Sequence, residues 1–375
     1  MTTLGAPECH VLLARSSLQF LLATALAADL RERTGQACRL LFVPGMPDVA
    51  VFADAVAGWP DSPFDHVRFI DPHRRPARSR AQLLRELRVE LDAAEPRSLW
   101  VFNDREEDSQ ALLSWALRRF PSAERFCVED GSLAYTGFTY PAQGVTTRWR
   151  QRLRVGRGWH DVRVLGTHPL VQQFVAIHPQ LLRPELRQRP TRQFPAAALA
   201  AQPLRSLATA MCARSGFAAS SVAAGAVLLS LSHSSYADRN PDYCRLVQAC
   251  VQRLRSRQAP WFFKYHPRET AADPLGLLGA GMVVEVPRSL PVECIYLLLR
   301  DRPLTVIGGM STSLLTAGLL MPQVRCAALV HASGAGDAWD SRLLDALRIT
   351  PLADAAGLAA YVDAFDDGAP AAAMA

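Results

Sequence analysis

The sequence has no C-x-x-C pair among its eight cysteines, which stand at Cys9, Cys38, Cys127, Cys212, Cys244, Cys250, Cys294 and Cys326. That absence argues against a zinc-ribbon or dithiol site, and thiols set in apolar stretches predict reduced, buried side chains. Long hydrophobic runs are missing too. The most apolar windows are 11–28, interrupted by Arg15, Ser16, Ser17 and Gln19, and 218–231, interrupted by serines. Both fall short of the roughly 18–20 uninterrupted apolar residues that span a bilayer. Residues 1–9 lack the basic start and cleavage pattern of a secretory leader, so a cytoplasmic chain is expected. The acidic run Asp104-Arg105-Glu106-Glu107-Asp108 has no partnering histidine cluster. It is expected to cap the helix that follows, and no metal ligand is assigned.

What is present is a long alternation of two periodicities. The chain has 375 residues, 49% hydrophobic and 20% charged, enough for two α/β domains. Strands are expected at 10–14, 39–43, 66–70, 98–102 and 125–128, with helices at 18–33, 78–93 and 108–119 between them. A second series opens with a strand at 226–231 and continues with strands at 260–264, 281–285, 304–307 and 326–329. Its helices are expected at 242–255, 291–300, 311–320, 341–347 and 352–365. Such alternation predicts parallel sheets covered on both faces. The stretch 184–215, rich in Pro, Arg, Gln and Ala, shows no strong periodicity and marks the junction. The expected fold class is α/β, with two doubly wound Rossmann-like domains facing a central cleft. The division is 1–190, a linker at 191–220, 221–350, and a C-terminal helix and tail at 351–375, with residues 1–7 a short lead-in. Ligands in such sheets bind beyond the carboxyl ends of the strands.

Three strand ends carry chemistry. Glu129-Asp130-Gly131 follows the apolar Phe126-Cys127-Val128, and adjacent carboxylates there cannot point the same way. One can face the cleft as a general base while the other holds the loop, and Gly131 permits the turn. Lys264-Tyr265-His266-Pro267-Arg268 ends another apolar strand. Pro267 keeps His266 extended, and the positive charges of Lys264 and Arg268 suit a phosphate. His168-Pro169 and His178-Pro179 lie in polar, helix-bounding regions and read as structural. Gly308-Gly309-Met310-Ser311-Thr312-Ser313 turns a strand into a helix, a terminus that suits an anion. It lacks the lysine and spacing of a P-loop and the closing glycine of a G-x-S-x-G elbow. Ser16-Ser17-Leu18-Gln19 stands at the first strand-to-helix junction, where a serine cap also explains it.

The net charge is +6 and the pI about 9.0. Much of the excess sits in Arg148-Trp149-Arg150-Gln151-Arg152-Leu153-Arg154-Val155-Gly156-Arg157. A solvated surface loop accounts for this stretch, and so does contact with an anionic membrane or an anionic glycan. No nucleic-acid-binding motif accompanies it, so no nucleic-acid partner is expected.

These segments, in this order, resemble the bacterial sialyltransferases and polysialyltransferases of capsule and lipooligosaccharide synthesis. Glu129-Asp130-Gly131 matches their acidic pair with glycine, His266-Pro267 their His-Pro motif, and Ser311-Thr312-Ser313 their Ser/Thr motif. Ser16-Ser17-Leu18-Gln19 looks like their N-terminal Ser/Thr-Pro-Leu-Gln segment, with Ser17 where proline is usual. Leu290-Pro291-Val292-Glu293 looks like their Pro-x-Glu element. The resemblance spans residues 10 to 320 in islands and implies a GT-B fold. It implies an inverting, metal-independent, cofactor-free transfer of sialic acid, or a related nonulosonic acid, from a CMP donor to a hydroxyl of a cell-surface glycan. The first domain would take the acceptor and the second the donor. Glu129 is the preferred base, with Asp130 beside it, and His266 receives the leaving phosphate. Lys264, Pro267, Gly309, Ser311, Thr312, Ser313, Glu293 and Ser234 are the expected donor-binding residues. Ser17, Gln19 and Gly131 are expected to support the acceptor side. The alternatives are a CMP-Kdo transferase, a CDP-polyol phosphotransferase and a non-catalytic polyanion-binding protein.

Overall fold

The computed structural model describes residues 9–45, 50–70, 80–256, 260–278, 283–330 and 341–364. The lead-in at 1–7 and the tail at 368–375 lie outside them, as do residues 78–79, 281–282 and 365 of three expected elements. The chain divides into two units, 1–207 and 208–375.

The first unit runs β1 (Cys9–Ala14), α1 (Ser17–Thr34), β2 (Ala37–Phe42), α2 (Ala50–Val56), β3 (His66–Phe69), α3 (Arg80–Ala94), β4 (Pro96–Val101), α4 (Glu107–Arg119), β5 (Glu124–Val128), α5 (Val145–Val155), β6 (Gln173–Ala176), α6 (Pro184–Arg187), β7 (Thr191–Gln193) and α7 (Gln202–Arg214), the last crossing the division. Its seven strands form one parallel sheet in the order β3-β2-β1-β4-β5-β6-β7. Strand order reverses between β1 and β4, which opens a crevice at their carboxyl ends. Every residue of β1 is buried, as a central parallel strand requires. Phe20 of α1 packs on Phe42 and Phe52, with ring centroids 5.2 and 5.0 Å away. Trp100 stacks on Phe126 at 4.0 Å, which locks β4 to β5.

The second unit runs β8 (Val227–Ser230), α8 (Ser234–Ala237), α9 (Pro241–Ser256), β9 (Trp261–Lys264), β10 (Val284–Glu285), α10 (Val292–Leu298), β11 (Thr305–Gly309), α11 (Thr312–Leu320), β12 (Arg325–Leu329), α12 (Ser341–Ala346), β13 (Ile349–Leu352) and α13 (Ala355–Asp363). Its parallel sheet has the order β10-β9-β8-β11-β12-β13, with the reversal between β8 and β11. Two parallel-sheet Rossmann-like units make this an α/β fold of the GT-B kind. No helix among the described residues is long and apolar enough to cross a membrane. All eight cysteines are free; seven are buried and Cys244 is half-buried.

Three segments differ from the sequence-based expectation. Residues 191–220, read as a linker, hold β7 and α7, and bury Phe194, Leu199, Leu204, Leu207 and Met211. Their apolar residues are too widely spaced among Pro, Arg and Gln to show a period, and β7 is too short to alternate. The helix expected at 352–365 forms over Ala355–Asp363, and ahead of it stands a strand that was not expected, β13. Asp354 accepts from the Gly357 N–H at 2.7 Å and starts α13, while Pro351 is tolerated because β13 is an edge strand. The basic stretch at 148–157 is mostly helix, α5, rather than loop.

The second sheet is pinched where β8 meets β11. A Cβ on Gly308 would lie 2.4 Å from the Ser230 carbonyl oxygen, and one on Gly309 2.4 Å from Ser232 Oγ. Gly308 therefore sets the spacing of the two strand ends. Gly308→Ala is expected to cost about 1–3 kcal/mol of stability, since a backbone carbonyl has to move. Urea unfolding of the purified variant measures this, and an unchanged midpoint would show that the strands can part freely.

Candidate functional site

β5 delivers two carboxylates to opposite sides of the first sheet's end. Glu129 is 1% exposed. Its Oε2 accepts from the Ile177 N–H at 2.6 Å and from the Tyr135 hydroxyl, which itself accepts from the His178 N–H at 3.1 Å. Its main-chain N–H donates to Val175 at 2.9 Å. Burial pushes the Glu129 carboxyl up to about 8 against the two hydrogen bonds. Glu129 thus ties β5 to the chain leaving β6. The expectation that it faces a cleft as base is corrected by this enclosure.

Asp130 takes the opposite side and is half-buried. The amides of Gln19 and Asn103 hydrogen-bond its carboxylate. The Gln19 side-chain oxygen accepts from the Arg15 N–H at 2.8 Å, and that of Asn103 from the Arg105 N–H at 3.1 Å. Each amide therefore turns its NH2 toward Asp130. Burial raises Asp130 to about 6; the Gln19 and Asn103 bonds and the Arg15 charge oppose this, while Glu106 reinforces it. Gly131, at φ +80°, makes the turn after it. These groups come from the ends of β1, β4 and β5, around the order reversal.

Sequence reasoning found Gln19 and missed Arg15, Asn103 and Glu106. The rule that singled out Asp130, polar residues just past a buried strand, applies equally to Phe102-Asn103 after β4. Ser16, not Ser17, caps α1, with the Gln19 N–H on its Oγ at 3.2 Å; Ser17 is the first helical residue. The acidic run is chiefly an ion-pair hub. Arg15 meets Asp108 and, at 3.7 Å, Glu106, while Arg80 and Arg154 meet Glu107 at 3.3 and 3.4 Å. Buried Asp104 accepts the Gly166 and His168 N–H groups, both at 2.8 Å. His168 is structural as expected, its Nε2 3.0 Å from the Gly158 carbonyl.

In the second unit β8, β9 and β11 end together. Lys264, the one lysine of the sequence, is 5% exposed. Its Nζ donates to the Pro287 and Arg288 carbonyls at 3.2 and 3.0 Å. Burial lowers it to about 8, with Glu293 opposing. The side chain expected at a phosphate instead holds the loop before α10. Glu293 is also enclosed, 8% exposed and 3.2 Å from Thr316 Oγ1, and burial raises its carboxyl.

His266 is half-buried, and its Nδ1 accepts from the Arg268 N–H at 3.1 Å. The neutral ring therefore carries its proton on Nε2. Burial lowers His266 to about 4, with the Arg268, His233 and Lys264 charges adding to the effect. His233, which sequence reasoning did not single out, stands edge-on at 5.6 Å. Its Nδ1 likewise accepts a main-chain N–H, that of Ser235 at 3.1 Å. The Ser234 N–H donates to Glu269 at 2.9 Å, joining α8 to the loop after β9. Burial works against the Glu269 charge, but bonds from Ser234 and Ala271 hold its carboxyl down at about 2.

Beside them runs a chain of hydroxyls. Ser230 Oγ is 2.8 Å from Ser313 Oγ, which is 2.7 Å from Ser311 Oγ. Ser311 caps α11 by backbone conformation without a side-chain cap bond, which leaves its hydroxyl in this chain. Thr312 opens the helix, half-buried, while Gly309 gives room to Ser232. Pro267 is exposed after His266. The second unit thus assembles two imidazoles, each with Nδ1 accepting a main-chain N–H, and three serine hydroxyls at its strand ends.

No family model matches the chain, and no curated protein matches it. Solved structures do. The chain is similar to the UDP-GlcNAc 2-epimerase of Methanocaldococcus jannaschii, with 12% identity and a TM-score of 0.56 over 95% of this chain and 92% of that one. It is similar to the UDP-GlcNAc 2-epimerase of Neisseria meningitidis bound to UDP-GlcNAc, with 10% identity and a TM-score of 0.57 over 96% and 92%. S. aureus MnaA, solved with UDP, has 7% identity and a TM-score of 0.51 over 96% and 88%. At these identities the likeness shows a shared fold, two Rossmann-like units of the GT-B kind.

Proposed function

We propose that the chain is an inverting glycosyltransferase that moves sialic acid, or a related nonulosonic acid, from a CMP-activated donor to a hydroxyl of a cell-surface glycan. The observation that carries this reading is the grouping of His266, His233, Ser230, Ser311 and Ser313 at the carboxyl ends of β8, β9 and β11. A phosphate that gains negative charge as it leaves is met there by imidazole N–H and serine O–H donors. The order of motifs shared with bacterial sialyltransferases supports the donor class. UDP-GlcNAc in one structure of this fold and UDP in another support the broader reading of a nucleotide-linked sugar as donor.

In the proposed reaction the acceptor oxygen attacks the anomeric carbon of the donor from the face opposite the phosphate. The carbon–oxygen bond to CMP breaks, the acceptor proton passes to Asp130, and CMP departs with the bonding electron pair. Attack from the opposite face inverts the centre. Asp130, at about 6, is mostly ionised near pH 7 and ready to accept the proton. Gln19 and Asn103 hold it in place. The neutral His266 donates its Nε2–H to the leaving phosphate, and a dianion at that point favours full protonation of the ring. His233 offers a second Nε2–H. Glu129 and Lys264 position the loops rather than react. Metal is not required in this scheme, because imidazole and hydroxyl donors supply the stabilisation.

Asp130→Asn should lower turnover by about 10²–10⁴-fold, while Glu129→Gln, which preserves an acceptor for Tyr135 and Ile177, should keep turnover within about tenfold. The reverse order would return the base to Glu129. For the wild type, kcat/KM should fall below pH 6 as Asp130 takes up a proton; a rate still rising toward pH 5 would remove that carboxylate from the role. EDTA should leave CMP release unchanged, and a rate restored only by a divalent ion would overturn the metal-free scheme. The deciding assay measures nucleotide release from CMP-Neu5Ac, CMP-Kdo, CDP-glycerol and UDP-GlcNAc, with and without glycan acceptors. Release only from CDP-glycerol or UDP-GlcNAc would overturn the donor class, and binding without turnover would favour a polyanion-binding protein.

A further inference from the structure

We propose that α5 is a docking surface for an anionic lipid bilayer. Val145, Trp149 and Leu153 follow one another at intervals of four residues and so form one stripe along the helix. They are 62, 66 and 77% exposed, three of the four most exposed large apolar side chains among the described residues. At about 100° per residue, Arg148 and Arg152 flank the stripe on one side and Arg150 on the other.

The other face of α5 is already committed. Val155 is buried in a cluster with Leu84, Ala111 and Trp159. Gln151 accepts from Trp159 Nε1 at 2.6 Å, and Arg154 pairs with Glu107 at 3.4 Å. The helix is therefore held within its unit with the apolar stripe outward. Along the chain through α5 the charge has one sign, and the carboxylates that meet this segment, Glu107 on Arg154 and Asp161 on the Gln143 N–H, come from outside that stretch. From Gly131 to His160 the sequence contains no carboxylate and five arginines, Arg148, Arg150, Arg152, Arg154 and Arg157.

This combination selects among anionic partners. A polysaccharide or nucleic acid would satisfy the arginines but offers no apolar medium for Val145 and Leu153. A bilayer surface offers both, with anionic headgroups for the guanidiniums and an interfacial layer that suits tryptophan. Phe138, 44% exposed and 4.9 Å edge-on to Tyr140, adds a further apolar group in the loop before α5. The inference does not rest on the transfer reaction.

Co-sedimentation of the full chain with vesicles tests it. Vesicles of phosphatidylcholine with 30 mol% phosphatidylglycerol, the probe's composition, should bind the chain at least about tenfold more tightly than phosphatidylcholine alone. Binding should weaken sharply between about 0.05 and 0.5 M salt. Trp149→Ser with Leu153→Ser, and separately Arg148→Gln with Arg150→Gln and Arg152→Gln, should each lower binding at least about tenfold. All these side chains are exposed, and circular dichroism and thermal midpoint should match the wild type. Equal binding to both vesicle types, or undiminished binding by either variant, would overturn the proposal. So would retention on heparin with no vesicle binding, which would assign the surface to a soluble polyanion instead.

Discussion

The chemistry of the first unit depends on a single constraint of β-structure: neighbouring residues on an extended chain leave on opposite sides. At the end of β5 that rule separates two carboxylates one residue apart. Glu129 goes inward, where Tyr135 and the Ile177 N–H receive it and burial keeps it largely protonated near neutrality. Asp130 goes outward to the order reversal of the sheet, where two amides hold it and its charge survives near pH 7. The buried carboxylate tethers the strand end, and the half-buried one is held by side chains from two other strand ends.

The second unit reaches its arrangement through close approach. Gly308 and Gly309 let β11 come within a carbonyl's reach of β8, and that contact sets Ser313 against Ser230. Two histidines from neighbouring strand ends each give Nδ1 to a main-chain N–H two residues on. That shared local bond fixes the tautomer of both rings, so each presents a donor rather than an acceptor. Lys264 does its work below this level. Its ammonium satisfies two carbonyls of the loop before α10, an expensive use of a buried charge that the nearby Glu293 helps to sustain.

The two α/β units, the parallel sheets and most strand positions were legible in the sequence, because central parallel strands are uninterrupted apolar runs and most helices between them bury a periodic stripe. β6, β7 and β13 were not, being three or four residues long, and the first two are set among prolines and arginines. α5 was missed for a different reason. Its four arginines read as a solvated surface stretch, and the four-residue spacing of Val145, Trp149 and Leu153, a helical period, was passed over.

The sequence by itself determined that Asp130, His266 and Ser311–Ser313 stand at strand ends, since strand boundaries and glycine turns are local properties. Only the tertiary structure decided which of two adjacent carboxylates is open, that Lys264 is spent on carbonyls, and that His233 stands beside His266. These outcomes turn on which groups from distant segments reach a given atom. Burial and hydrogen bonding between segments set both accessibility and charge, and neither is written in the order of residues along one strand.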